Sequence, residues 1–137
     1  MGGRFSRRKK MRVFIVDDSN VVLERLTDLL AEVPGAVLVG QAGDVLHAVR
    51  DIRKRKPDVL ILDLQMPGGT GLDVLRAVRL EFPNLQVLIC TNYPYPQYRE
   101  ECALAGANFF LDKSSEFGKI PAILRGLMRK EIVPTGY

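Results

Sequence analysis

The sequence predicts an α/β fold, a parallel sheet with helices on both faces. Two observations carry that expectation. Five runs of apolar, β-branched and aromatic residues alternate with five segments whose apolar residues recur at helical spacing. The runs are continuous rather than alternating in polarity, the pattern of strands buried on both faces. Right-handed crossovers in such a sheet bring every strand-to-helix loop to one edge.

The elements follow in order. RVFIVD (12–17) reads as the first strand. In 19–33, Val22, Leu23, Leu26, Leu29, Leu30 and Val33 share a helical face; Ser19 can cap the start and Pro34-Gly35 stops it. AVLVGQA (36–42) is the second strand. Residues 44–56 form a helix with Val45, Leu46, Val49 and Ile52 on one face, a basic last turn suited to the negative dipole end, and Pro57 as terminator. DVLILD (58–63) is the third strand, followed by a loop with Pro67 and three glycines. LDVLRAVRLEF (72–82) is the third helix and LQVLICT (85–91) the fourth strand. YPYPQYREECALAGA (93–107) opens with two prolines and holds a short helix, roughly Gln97 to Ala105. NFFLD (108–112) is the fifth strand; Ser114 to Lys119 is a loop before the final helix, 120–130, with Pro121 in its first turn.

With 137 residues, the chain has room for one domain with one real core. No apolar run approaches the roughly 20 residues that cross a bilayer, and the basic start lacks the apolar segment of a secretory signal. Cys90 and Cys102 lack metal-ligand spacing, and Cys90 lies in an apolar run, so reduced, buried thiols and a cytoplasmic location are expected. The net charge is +4, but residues 1–12 hold six cations (Arg4, Arg7, Arg8, Lys9, Lys10 and Arg12) and no acid, so the remainder is slightly acidic. Basicity is thus expected of a disordered tail, residues 1–10, ahead of a domain at 11–130 and a C-terminal tail at 131–137. No nucleic-acid motif accompanies it, so neither direct nucleic-acid binding nor membrane binding is expected.

The topology has a chemical consequence, because ligands of such sheets bind outside the carboxyl ends of the strands. The residues there are Asp17 and Asp18 after the first strand, Asp63 after the third, Thr91 after the fourth and Lys113 after the fifth. Three carboxylates held close together cannot all stay ionised unaided; a pKa rises or a cation enters. Oxygen ligands without histidine or thiolate favour Mg²⁺, or a similar ion such as Mn²⁺. With an ammonium and a hydroxyl alongside, the set suits stabilisation of negative charge on a phosphoryl group. The remaining carboxylate can serve as nucleophile and become an aspartyl phosphate.

VDDS at 16–19, LDLQMPGGTGLDVL at 62–75, Thr91 closing an apolar strand and GANFFLDK at 106–113 together resemble the receiver domain of two-component response regulators, over about residues 11–130. The resemblance implies a doubly wound, flavodoxin-like sheet of order 2-1-3-4-5. It implies that Asp63 accepts a phosphoryl group from a histidine kinase or histidine phosphotransfer protein. Asp18 is implied as a direct Mg²⁺ ligand, Asp17 as a ligand through water and the Gln65 carbonyl as the main-chain ligand. Thr91 and Lys113 are implied to grip the phosphoryl oxygens, Phe110 to occupy the aromatic switch position, and Gln65 and Tyr93 to tune hydrolysis. The switch would act on a downstream protein through the fourth helix, fifth strand and fifth helix, phosphorylating and dephosphorylating itself rather than turning over a substrate, and the family allows a homodimer.

Three departures qualify the resemblance. Asn92 stands where the family usually has a very small residue and is expected to narrow access to Asp63. Ser114 follows Lys113 where many receivers have proline, so the cis peptide usual there is not implied. Phe110 lacks the hydroxyl of the tyrosine often found at its position. His47, the single histidine, lies on a helix away from the acidic edge and is not read as a phospho-carrier; Asp44, Asp73 and Asp112 read as caps or surface charges. The alternatives are a degenerate receiver that binds partners without phosphorylation, a receiver portion of a larger DNA-binding regulator and, ranked low for want of a second acid near Asp63, a metal-dependent phosphatase.

Overall fold

The computed structural model describes residues 10–129, so apart from Lys10 the two expected tails, together with Lys130, lie outside the described residues. Strand β1 (Met11–Val16) leads to helix α1 (Asn20–Ala31), β2 (Ala36–Ala42), α2 (Val45–Arg55) and β3 (Val59–Leu62). A small hairpin follows, β4 (Gln65–Met66) and β5 (Gly69–Thr70), and then α3 (Gly71–Arg79) and β6 (Gln86–Thr91). Helix α4 (Pro96–Leu104), β7 (Phe109–Asp112), a 3-10 turn (Phe117–Lys119) and α5 (Ile120–Arg129) complete the order. The main sheet runs β2-β1-β3-β6-β7 with every pair parallel. Counting only its strands, this is the expected 2-1-3-4-5 arrangement.

Alternation along the strands divides the core into two layers. Val13, Ile15, Val59, Ile61, Leu88, Cys90, Phe109 and Leu111 face one side and pack against Leu26 and Leu30 of α1 and Leu124 of α5. Phe14, Val16, Leu60, Leu62, Val87, Ile89 and Phe110 face the other side, beneath α2, α3 and α4. β1 and β2 fall out of step between Val13 and Phe14, where Val39 is the extra residue of β2 and Phe14 pairs with Gly40. A Cβ on Gly40 would come within 2.6 Å of the Phe14 ring, so only glycine lets β2 pass over that side chain.

Helix starts follow the expected chemistry. The Ser19 side chain accepts from the Val22 amide, and Asp44 accepts from the amide and the Nδ1 of His47. Thr70 and Asp73 exchange hydrogen bonds as a capping box at α3. At the far edge, guanidinium groups meet the helix C-termini: Arg12 donates to the Lys56 carbonyl, Arg125 to the Glu32 carbonyl, and Arg79 to the carbonyls of Phe82, Pro83, Leu85 and Gly106.

Several local features differ from the sequence expectation: Leu46, expected on the apolar face of α2, is exposed, and the expected loop 114–119 contains the 3-10 turn. The loop after Asp63 carries the β4–β5 hairpin, its turn made by Pro67 and by Gly68 at φ +82°. α3 stops at Arg79 rather than 82, because the Arg79 side chain takes the carbonyls of the returning chain. α4 begins on Pro96 itself, whose missing N–H is no loss in a first turn.

Candidate functional site

The strand register assembles the site. Val16 pairs with Leu62, so Asp17 and Asp63 leave adjacent strands at one level. The Asp17 amide donates to Ala42 and the Asp63 amide to Val16, extending the ladders past the strand ends. On the other side Thr91 pairs with Asp112, and the Lys113 amide donates to the Thr91 carbonyl at 2.7 Å. Gly71 closes in from α3: a Cβ there would collide with the Asp63 carbonyl oxygen.

Asp17, Asp63, Thr91 and Lys113 are the buried polar residues among those described. Lys113 Nζ donates to Asp17 Oδ2 at 2.8 Å and lies 3.4 Å from Asp63 Oδ2. Asp17 Oδ1 accepts the Ser19 amide at 2.9 Å. Asp18 is exposed, yet one carboxylate oxygen from each of Asp17, Asp18 and Asp63 falls within 4.8 Å of the others. Thr91 Oγ1 accepts the Tyr93 amide at 2.9 Å, which leaves its own O–H as a donor.

Burial raises the pKa of the Asp63 carboxyl and the Asp17 charge adds to the rise; the Lys113 charge and the Gln65 amide oppose it. Burial pulls the Lys113 ammonium down, but the hydrogen bond to Asp17 and the charges of Asp63 and Asp17 outweigh it, and the net shift is upward. The ammonium thus stays charged inside the pocket. Burial pushes the neighbouring Cys90 thiol up to about 12, so it is a packing residue and not a nucleophile.

Gln65 is exposed, with its amide turned to the Asp63 carboxylate. Asn92 is exposed beside Thr91, and Tyr93 is 44% exposed with its ring 6.4 Å from that of Tyr95. Phe110 is buried under α4, with the Arg99 guanidinium 4.7 Å above its ring. His47 lies in the first turn of α2, held by its N-cap Asp44, and is not among the carboxylates that cluster. The Lys113–Ser114 peptide is trans, as are all described peptide bonds. Sequence reading missed two participants. Nothing in α4's weak amphipathic pattern marks Arg99, and the glycines after Asp63 read as a loop without saying which of them closes on Asp63.

The pocket's donors are carboxylate oxygens, with neither imidazole nor thiolate among them, and Asp17, Asp18 and Asp63 fit a hard divalent cation such as Mg²⁺. Comparison with known proteins agrees with this geometry. A model of the response regulator receiver domain matches residues 13–125. The DNA-binding transcriptional activator DevR/DosR of Mycobacterium tuberculosis is 37% identical over 103 residues, 75% of this chain and 48% of that protein. A protein-glutamate methylesterase/protein-glutamine glutaminase of Anaeromyxobacter dehalogenans is 42% identical over 84 residues, 61% of this chain and 23% of that protein. The chain therefore spans half or less of these relatives. The response regulator domain of Thermotoga maritima CheB superposes with a TM-score of 0.76 at 27% identity, covering 90% of this chain and 96% of that one. An acid pocket at the carboxyl edge of a 2-1-3-4-5 sheet, a family model matching most of the domain and relatives aligned along its length lead to one assignment: the chain belongs to the response regulator receiver domain family.

Proposed function

We propose that this receiver is a phosphorylation switch whose acceptor is Asp63. The observation that carries the proposal is the pocket itself: a buried carboxylate 3.4 Å from a buried ammonium, with two further carboxylates within 4.8 Å. Asp17, Asp18 and Asp63, with the Gln65 carbonyl, would hold Mg²⁺ or Mn²⁺. When bound, the ion neutralises carboxylate charge and polarises the incoming phosphoryl group.

The chain's own residues do the rest. An Asp63 oxygen forms the bond to phosphorus as the P–N bond to the donor histidine breaks; the electron pair leaves with the imidazole, which takes up a proton. The donor is a histidine kinase or a histidine phosphotransfer protein. Lys113 stabilises negative charge on the transferred oxygens, and the Thr91 O–H donates to one of them. Gln65 and Tyr93 border the acceptor and set how readily water reaches the acyl phosphate. Phe110 follows Thr91, and the surface around α4, β7 and α5 presents the altered face to a downstream protein. We place this work in the cytoplasm; among the described residues no helix is long and apolar enough to cross a membrane.

The test uses phosphoramidate and Mg²⁺ with detection by intact mass. One phosphoryl group is expected on the wild type, none on Asp63→Asn, and beryllofluoride should block the reaction. A wild-type chain that gains no phosphoryl group and binds no beryllofluoride would sink the proposal in favour of a phosphorylation-independent interaction module.

A further inference from the structure

Lys113 must deliver its ammonium into a buried acid cluster from the first residue beyond β7. Its N-terminal side is held by the ladder, through the Lys113 amide on the Thr91 carbonyl. Its C-terminal side enters a turn with the exposed residues Ser114 and Ser115, across an ordinary trans peptide. A flexible turn there would let the ammonium wander.

The turn is instead closed by side chains. Asp112 Oδ1 accepts both the Ser114 amide at 2.9 Å and the Ser114 hydroxyl at 2.7 Å. Glu116 Oε1 accepts the Asp112 amide at 2.9 Å, and Lys119 holds the other Glu116 oxygen at 2.7 Å. The Asp112 carbonyl accepts the amides of Ser115 and Glu116. Lys113 is thus enclosed between an aspartate turn and a glutamate that reaches back over it. Neither carboxylate touches the acid pocket, and the functional reading gives neither a task. The hydrogen bonds from Ser114 lower the Asp112 pKa, and that from Lys119 lowers the Glu116 pKa, so both remain anionic acceptors at neutral pH.

We infer that Asp112, Ser114 and Glu116 are positioning residues that fix Lys113 for phosphoryl transfer. The inference rests on the proposal that Asp63 is phosphorylated. These residues act through Lys113 alone, without contacting the phosphoryl group or the metal. Their contribution is geometric: displacement of a catalytic group by about 1 Å can slow a reaction up to about 100-fold.

The experiment measures the phosphorylation rate of the full chain by phosphoramidate across a Mg²⁺ series, with folding followed by circular dichroism. Asp112→Ala is expected to lower the maximal rate about tenfold without moving the Mg²⁺ half-saturation point. Asp112→Asn, which keeps an acceptor oxygen for Ser114, should restore the rate, and Glu116→Gln should outperform Glu116→Ala for the same reason. The deciding comparison is a double variant: in a Lys113→Ala background, Asp112→Ala should cause no further loss. An undiminished rate in Asp112→Ala overturns the inference, and so does a loss that repeats in the Lys113→Ala background. Should Asp112→Ala fail to fold, Ser114→Ala decides: a rate equal to wild type overturns the inference and a slowed one supports it. A wild-type protein that takes no phosphoryl group fails the functional reading instead, which separates the two.

Discussion

Asp63 and Lys113 form the most consequential buried pair in the molecule, and their titration can be tested. Burial raises the Asp63 pKa in the folded state, so the fold holds that proton more tightly than the unfolded chain does. Ionised Asp63 therefore costs stability. The cost is absent below the ordinary carboxylate value of about 3.9 and complete once the pH exceeds the raised folded value. Asp63→Asn should accordingly raise the metal-free thermal midpoint by a few degrees at neutral pH, and the advantage should vanish near pH ~3. Lys113→Ala should act in the opposite sense at neutral pH, costing about 3 kcal/mol in chemical denaturation, because it strands Asp17 in a buried site. Asn92→Ala should speed phosphorylation by small donors if the side chain narrows the mouth; unchanged rates would dismiss that role. The acid residues, Thr91 and Lys113 were legible because each sits at a strand's end, where a parallel sheet gathers side chains from distant sequence. The Arg99–Phe110 contact was not legible, since it depends on how α4 is rotated and the α4 sequence has little apolar periodicity to fix that.

Among the elements, α3 shows how local signals and tertiary contacts share the work. Thr70 and Asp73 start it, and Gly71 lets its first turn touch the backbone of Asp63. Its end is set by Arg79, which donates to four carbonyls and to Asn108 Oδ1. Asn108 Oδ1 in turn accepts the Val87 amide at the start of the interior strand β6. Arg79→Met should cost about 3 kcal/mol of unfolding free energy, since it leaves several half-buried carbonyls without a donor. Phosphorylation should persist in that variant at temperatures where it remains folded. Helix starts were readable from single residues such as Ser19 because an N-cap is a contact over three residues. The end of α3 was not, because Arg79 reaches Gly106 and Asn108 across 27 and 29 positions. The β4–β5 ladder escaped notice for another reason: two residues per strand are too few to show a period.

At the level of the whole molecule, the continuous apolar runs implied a sheet covered on both sides, and the two core layers bear that out. The strand order came from resemblance, since periodicity says what a strand buries and not which strand lies beside it. The sheet's carboxyl edge gathers Asp17, Asp18 and Asp63, while Arg12, Arg79 and Arg125 donate to carbonyls at the opposite edge. If the acid pocket holds Mg²⁺, saturating metal should raise the thermal midpoint, in line with the roughly 2.7 kcal/mol that a ligand contributes at 100 times its Kd. Asp18→Asn should blunt that rise, and a midpoint indifferent to Mg²⁺ would argue against the metal site.

The two layers give β7 a pair of adjacent aromatic rings that face opposite sides of the sheet. Phe109 looks toward α1 and α5, and Phe110, its immediate neighbour, looks toward α4. Adjacent rings on one strand therefore listen to different audiences. A fluorine label on each would act as a pair of built-in microphones only one residue apart. With Asp63 phosphorylated, the label at Phe110 should change its resonance while the label at Phe109 holds still, so that one short strand reports both the message and its own silence.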